Sequence, residues 1–214
     1  MAETKAKTTQ SVSIPAPNIK VLSLRITGTA PYVQHKFPAK ALAEMRAKQE
    51  AGSTARKGVK RQPKDFRAAY EGAKHKAEDG WCGIPAPAFR NAMISACRLV
   101  GFQMTRAKLS VFVEADGFDA EDGTPLVRIT KGEPIYTEMA VRNQTGVVDL
   151  RARPMWHAGW EATVRVQYDA DQFTQVDVAN LMLRAGMQVG VGEGRPDSKK
   201  SAGMGWGTFE LKQA

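Results

Sequence analysis

The chain has 214 residues, of which 43% are hydrophobic and 25% are charged. These fractions are those of a folded globular protein and exclude wholesale disorder. Lysine and arginine number 31 against 22 acidic residues, so the formal net charge is +9, which favours a polyanionic partner such as a nucleic acid.

The first third of the chain predicts an arm, one strand and two weak helices. Residues 1–19 carry almost no large apolar side chain, which predicts a flexible N-terminal arm. Residues 20–29 alternate polar and apolar side chains and predict a half-buried strand, and helices are expected at 39–51 and about 65–78. Residues 52–64 carry no acid and are interrupted by glycine and proline, which predicts a flexible basic loop. Its positive residues are Arg56, Lys57, Lys60, Arg61 and Lys64.

The middle of the chain predicts one strong helix followed by strands. Residues 88–100 place apolar side chains on one helical face, and a strand is expected at 109–115. Further short strands are expected at 126–130, 134–141, 147–153 and 160–168. The last two are joined by Pro-Met-Trp-His-Ala-Gly, which predicts a hairpin.

The end of the chain completes a recognisable order of elements. Thr174 and Asp177 have the spacing of a capping box and predict a helix over about 174–188, and a final strand is expected at 208–212. The resulting β-α-β-β-α-β order predicts an α+β fold, a ferredoxin-like or RRM-like antiparallel sheet with helices on one face. We expect a single domain over 20–214, with large insertions at about 30–85 and 116–146.

A glycine-rich loop over 189–207 lies between the last helix and the last strand. Glycine lets the backbone approach a ligand closely, and successive amide groups in such turns bind anions. Basic side chains within the loop favour phosphate contact, and a purely structural connection is the alternative. The candidate phosphate-binding residues are Gly190, Gly192, Gly194, Arg195, Lys199, Lys200, Gly203 and Gly205.

This loop resembles the glycine-rich loop of the RAMP superfamily, the RRM-fold proteins of CRISPR systems. The similarity is carried by Gly190-Val191-Gly192, a basic polar spacer, and Gly203-Met204-Gly205 before the last strand. The insertion after the first strand is similar to that of the family's backbone subunits, which polymerise along a guide RNA. The segments VGVGEGRP and TGTAPYVQHKF also resemble a group of phage proteins.

The resemblance implies roles for individual residues. Gly190, Gly192, Gly203 and Gly205 would shape the loop. Lys199 and Lys200 would contact phosphates. The basic loop at 56–64 would clamp the strand, and copies of the chain would assemble into a filament or ring.

Trp156 is a candidate platform for base stacking. It is predicted to lie in a turn near Arg151 and Arg153, and single-stranded nucleic acids are often held by aromatic rings beside basic grooves. Ordinary packing in the core is the alternative for this side chain.

A catalytic function for this protein would depend on a histidine. Some RAMP proteins cleave RNA without a metal, and His35, which lies beside Lys36, is the candidate general acid or base. His75 lies in a run of Ala, Gly and Lys and is expected to be solvated. The acidic residues Asp116, Asp119, Glu121 and Asp122 predict a solvated turn, without the pattern of a calcium loop.

The remaining features bound the class of protein. Cys82 and Cys97 form no C-x-x-C pair, so neither a disulfide framework nor a zinc site is expected, and we expect no metal and no cofactor. No apolar run approaches the length of a membrane span, and the opening residues lack an apolar signal segment. We therefore expect no membrane partner and a reducing cytoplasm, in a bacterium or a phage-infected host cell.

Together these features predict non-catalytic, largely sequence-independent binding of single-stranded RNA or DNA by an oligomer. A metal-independent endoribonuclease and a structural phage assembly protein are the alternatives.

Overall fold

The computed structural model describes residues 14–37, 39–50, 63–142, 148–198 and 203–212, which form two antiparallel sheets and five α-helices. The strands are β1 (Ile19–Gly28), β2 (Tyr32–Val33), β3 (Gly83–Pro85), β4 (Val111–Val113), β5 (Gly117–Phe118), β6 (Pro125–Lys131), β7 (Ile135–Arg142), β8 (Val148–Trp156), β9 (Glu161–Asp169) and β10 (Phe209–Leu211). The helices are α1 (Ala39–Glu50), α2 (Phe66–Glu71), α3 (Ala86–Ala96), α4 (Met104–Ser110) and α5 (Gln175–Arg184). Within these ranges, no helix is long and apolar enough to cross a lipid bilayer.

The larger sheet has seven strands. Its main path runs β10-β1-β9-β6-β3, and every pairing is antiparallel. Strand β4 also pairs with β9, and β5 pairs with β6. The prediction of an α+β protein with antiparallel sheets is therefore confirmed.

The hydrophobic core lies between this sheet and helices α3 and α5. Strand β9 alternates, with Ala162, Val164, Val166 and Tyr168 buried and the intervening residues half-exposed. This alternation turns one face of the strand toward the helices. The helices contribute buried apolar side chains to the same core, among them Phe89, Met93, Val178 and Met182.

Helix α5 begins where the sequence predicted. The Thr174 amide donates to the Asp177 carboxylate at 2.9 Å, and the Asp177 amide donates to Thr174 Oγ1 at 3.2 Å. These two bonds satisfy amide groups that the first turn leaves unpaired. The helix continues as a π-helical turn, Ala185–Val189, and ends at Gly190.

Strands β8 and β9 belong to different sheets, so the predicted hairpin between them was wrong. Strand β8 pairs with β7 and β2 in a separate three-stranded sheet. The change of sheet occurs around Trp160, whose carbonyl accepts from the Gly28 amide of β1 at 2.7 Å and whose indole nitrogen donates to the Ala30 carbonyl at 3.0 Å. The neighbouring Gly159 amide donates to the Gly28 carbonyl at 2.8 Å. A Cβ at Gly28 would lie 2.0 Å from that indole nitrogen, so the ring occupies the space of a side chain there.

Two predicted elements have different boundaries in the structure. The helix expected at 65–78 ends at Glu71, and Lys76 and Ala77 instead form isolated β-bridges with Cys82 and Asp119. The strand expected at 109–115 is shortened to three residues because α4, which the sequence did not predict, extends to Ser110.

A buried ion pair connects the two sheets. Lys36 follows β2 of the small sheet, and its Nζ lies 2.6 Å from Oδ1 of Asp119, which follows β5 of the large sheet. His75 Nδ1 lies 2.8 Å from the other carboxylate oxygen. The predictions of a solvated His75 and of a solvated position for Asp119 were therefore wrong. Long-range contacts, invisible in a local run of polar residues, bury both side chains.

Three side chains around this ion pair have the spacing of metal ligands. His75, Asp119 and Asp122 each offer one ligand atom within 4.8 Å of the others. The Lys36 ammonium group lies 2.6 Å from Asp119 and 3.9 Å from Asp122, so the protein supplies the positive charge itself. Burial by itself raises the pKa of Asp119, but the hydrogen bonds from Lys36, the Glu121 amide and His75 outweigh burial and hold that pKa below its ordinary value.

We expect Lys36→Met to destabilise the protein strongly. It would leave the buried Asp119 carboxylate without its cation, a change that typically costs about 3–5 kcal/mol. The free energy of unfolding in urea measures this. Because the folded-state pKa of Asp119 is depressed, its contribution in the wild type is present above about pH 4 and is lost as pH falls through the folded-state pKa.

Lys131→Met is the matched control. Lys131 lies 3.0 Å from Glu161, but its side chain is 67% exposed, so the loss should stay below about 1 kcal/mol. Equal losses in the two variants would contradict a structural role for the buried pair.

Candidate nucleic-acid interface

The glycine-rich loop crosses over itself where it enters the last strand. The Val191 amide donates to the Gly207 carbonyl at 2.9 Å, and the Gly207 amide donates to the Pro31 carbonyl at 2.7 Å. A Cβ at Gly207 would lie 1.7 Å from the Val191 carbonyl oxygen, so only glycine allows the two segments to meet. Its φ of +69° also lies in the region that favours glycine.

The loop is also attached to the small sheet. The Glu193 amide donates to the Val33 carbonyl of β2 at 2.9 Å, and a Cβ at Gly192 would lie 2.5 Å from the same carbonyl oxygen. The amides of Met204 and Trp206 both donate to the Gly194 carbonyl. Many of the loop's amide groups are thus used within the fold, so phosphate contact would come mainly from side chains.

Attachment of the loop places one carboxylate among three basic side chains. The Glu193 carboxylate accepts a hydrogen bond from Arg153 Nε at 2.8 Å. Arg151 Nη1 lies 3.6 Å away from this carboxylate and His35 Nδ1 lies 3.8 Å away. Arg151 and Arg153 are two residues apart on β8, so the strand's alternation places them on one face. We call these four residues the Glu193 cluster.

Exposure differs within the Glu193 cluster. The Arg153 side chain is 8% exposed, whereas that of His35 is 39% exposed. Burial, together with the positive charges of Arg153 and Arg151, lowers the pKa of His35, although Glu193 opposes this. A pKa below its ordinary value leaves the His35 imidazole mostly neutral at pH 7, so the two arginines and Glu193 carry the charge of the cluster.

A second ion pair extends the cluster along β8. Lys64 Nζ lies 2.6 Å from Asp149 Oδ1 and donates to the Leu150 carbonyl at 2.7 Å. The Lys64 hydrogen bond is the main reason why the pKa of Asp149 lies below its ordinary value. Arg151 Nε lies 3.4 Å from the same carboxylate. Basic and acidic side chains thus alternate from Lys64 to His35.

The structure brings together only some of the residues predicted from sequence. Lys64, Arg151 and Arg153 join His35 beside the loop, whereas Arg195 donates from Nη1 to the Gly192 carbonyl at 3.1 Å. Gly190, Gly192, Gly194, Gly203 and Gly205 all have positive φ. Six predicted basic residues lie outside the described ranges, namely Arg56, Lys57, Lys60, Arg61, Lys199 and Lys200.

Trp156 does not lie on the surface, where base stacking would need it. Its side chain is fully buried, and its ring lies 5.4 Å from that of Tyr32. The prediction that it stacks on bases was wrong, because β8 continues through Trp156 and directs the ring into the core rather than into a turn.

Sequence reasoning missed the acidic partners of the site. Glu193 contacts three basic side chains and Asp149 contacts two, but the predicted phosphate-binding set contained only glycines, basic residues and Trp156. The available signal was the single carboxylate between Gly192 and Gly194.

Comparison of the chain with models of known protein families gives no match, and comparison with curated proteins gives none either.

We expect Gly207→Ala to destabilise the protein more than Gly205→Ala. Both residues have positive φ, so each alanine pays about 1–2 kcal/mol of backbone strain. Only the alanine at 207 meets the Val191 carbonyl oxygen, which adds about 1–3 kcal/mol or more. Thermal and urea unfolding measure the difference.

Gly205→Ala serves as the control because a Cβ there has nothing within 4 Å. Equal destabilisation by the two alanines would show that the crossing at Val191 adapts without loss.

Proposed function

We propose that this protein binds single-stranded nucleic acid by contacting the phosphates of the nucleic-acid backbone, without catalysis and with little base preference. The observation that supports this most is the convergence of Arg151, Arg153 and His35 beside the glycine-rich loop. An arginine fork matches the geometry of two phosphate oxygens, and phosphate contacts carry no direct sequence information.

Glu193 and Asp149 would keep the site ordered before the ligand arrives. The Glu193 carboxylate presents two oxygens to the arginines, much as a phosphodiester would. A phosphate entering from the exposed His35 side would therefore compete with Glu193 for Arg151, which is more exposed than Arg153. The Lys64–Asp149 pair, which is about half exposed, would exchange in the same way.

Charge supports the proposal beyond this cluster. Lys64, Arg151 and Arg153 outnumber Glu193 and Asp149 by one positive charge. The sequence immediately before Lys64 adds four basic residues, and the stretch after Ser198 adds two lysines. Excess positive charge around an exchangeable contact raises the rate of capture of a polyanion.

We further propose that the framework is ferredoxin-like and related to the RAMP proteins. The order β10-β1-β9-β4 supports this, since α3 precedes β4 and α5 precedes β10 on the same covered face. Strands β2 and β7 of the small sheet would then lie in the predicted insertions, and β8 would follow directly after the second one. By the same resemblance, copies would assemble as an oligomer along the strand, in the cytoplasm of a bacterium or a phage-infected cell.

We expect Glu193→Gln to strengthen binding and Arg151→Ala to weaken it. Removing the carboxylate frees both arginines, so affinity for oligouridylate or oligothymidylate should rise roughly threefold to tenfold at fixed salt. Loss of Arg151 should lower affinity and reduce the salt-dependence slope by about 0.7. Fluorescence anisotropy over a salt series measures both.

Arg25→Ala is the matched control, because it removes the same charge from an exposed position on β1 of the large sheet. The proposed site would be refuted if Arg25→Ala weakened binding as much as Arg151→Ala, or if affinity did not depend on salt.

A second candidate function is metal-independent RNA cleavage. The observation that favours it is the neutral, partly exposed His35 beside two arginines and a carboxylate. A neutral imidazole can accept the proton of an attacking 2′-hydroxyl, and an arginine can stabilise the charge that develops on the phosphate.

Incubation with RNA in EDTA separates the two candidates. If the second is correct, the wild type cleaves RNA but not DNA, and His35→Ala abolishes cleavage. His157→Ala, at an exposed histidine outside the Glu193 cluster, should retain wild-type cleavage. Intact RNA with the wild type excludes this candidate.

A further inference from the structure

A groove lined by apolar side chains together with polar ones such as Asp177 and Arg184 lies on the side of α5 that faces the chain after α3. It has a volume of about 740 Å³. Among the residues that line it, Phe102 and Phe173 form a ring pair with centroids 4.8 Å apart. Val100 and Met187 also line the groove and are 50% and 64% exposed. Large apolar side chains exposed together are typical of binding surfaces.

The chain also exposes a short apolar segment at Ile14–Pro17. Its sequence is Ile-Pro-Ala-Pro, all four residues are exposed, and the Ile14 side chain is 85% exposed. Each proline fixes its own backbone and keeps the preceding residue extended. The segment is therefore a stiff, extended strip with little conformational entropy to lose on binding.

This segment leaves the body close to the groove. The Ala170 amide donates to the Asn18 carbonyl at 2.7 Å, and Asn18 Nδ2 donates to Asp171 at 3.0 Å. The next residues along the chain, Gln172 and Phe173, line the groove. The exposure of Ile14 nevertheless shows that the segment does not occupy the groove of its own copy.

We propose that the groove binds the Ile14–Pro17 segment of a second copy of this chain. Proline-containing extended segments bind in grooves lined by aromatic rings, because the bound conformation is already formed. Phe102, which is half-buried and packs on the buried Phe173, supplies such a ring, and Ile14 supplies an apolar side chain that the monomer leaves in water. The groove and the segment are different surfaces, so the contact is heterologous and repeats into a ring or a filament.

This inference adds an interface to the oligomer of the proposed function, but the contact itself requires no nucleic acid. The test uses the full chain after nuclease treatment. Sedimentation velocity over a roughly hundredfold range of concentration should show an average mass that rises above the 23.4 kDa of the monomer.

Variants on each side of the contact test its identity. Ile14→Asp and Met187→Glu should each return the protein to the mass of a monomer, since both place a charge in the apolar contact. Leu109→Asp is the control, because Leu109 is 80% exposed on α4 and does not line the groove. A labelled peptide of residues 10–20 should bind the Ile14→Asp protein and should not bind Met187→Glu.

The outcomes separate this inference from the proposed function. Both variants should keep the wild-type affinity for a short oligothymidylate, which occupies one copy, and should unfold at the wild-type temperature. A wild type that stays monomeric over the whole range, or an oligomer that persists in both variants, would overturn the inference. If the interface variants remain assembled and the Glu193 cluster variants still alter binding, only the interface is wrong.

Discussion

The crossing of Gly207 over Val191 is the constraint on which the arrangement of the candidate site depends. The two backbones meet where a methyl group has no room, and the hydrogen bonds there connect the end of α5, the start of β10 and the segment before β2. With the two segments crossed in this way, Gly192 packs against the Val33 carbonyl, and the Glu193 carboxylate accepts a hydrogen bond from Arg153. The glycines act first as spacing elements, and any ligand would meet the side chains that they position. This differs from a phosphate loop, whose amide groups face the ligand.

Two groups of ion pairs in the protein differ in burial, and burial separates their roles. Lys36 and Asp119 are almost completely enclosed, so exchanging either partner for a solvent ion would expose an uncompensated charge. This pair is one of the contacts that link the two sheets. In the Glu193 cluster, solvent exposure instead increases from the enclosed Arg153 to the partly exposed His35. Such a cluster can exchange the contact of the more exposed Arg151 for a ligand, while the enclosed contact between Arg153 and Glu193 preserves the geometry.

Elements with a strong local signal were predicted well. The alternation of β1 and β9 and the capping box of α5 arise from neighbours in sequence, and the structure shows all three. The predicted hairpin between β8 and β9 was wrong because strands that follow one another in sequence need not pair. The bond from the Gly28 amide to the Trp160 carbonyl directs the chain onto β1 instead. His75 and Trp156 were misjudged for a related reason. Their surroundings are polar or turn-like in sequence, but contacts more than forty residues away bury them, as the separation of 44 between His75 and Asp119 shows.

The sequence by itself determined the balance of helix and antiparallel strand, the excess positive charge and the position of the glycine-rich loop. These properties follow from residue type and short-range spacing, which act before the chain is folded. Only the tertiary structure decided that Arg151, Arg153 and His35 meet at Glu193, and that Lys36 is paired inside the protein. Charge pairing depends on distance in space and on burial, and neither is specified until the two sheets and the loop have packed against one another.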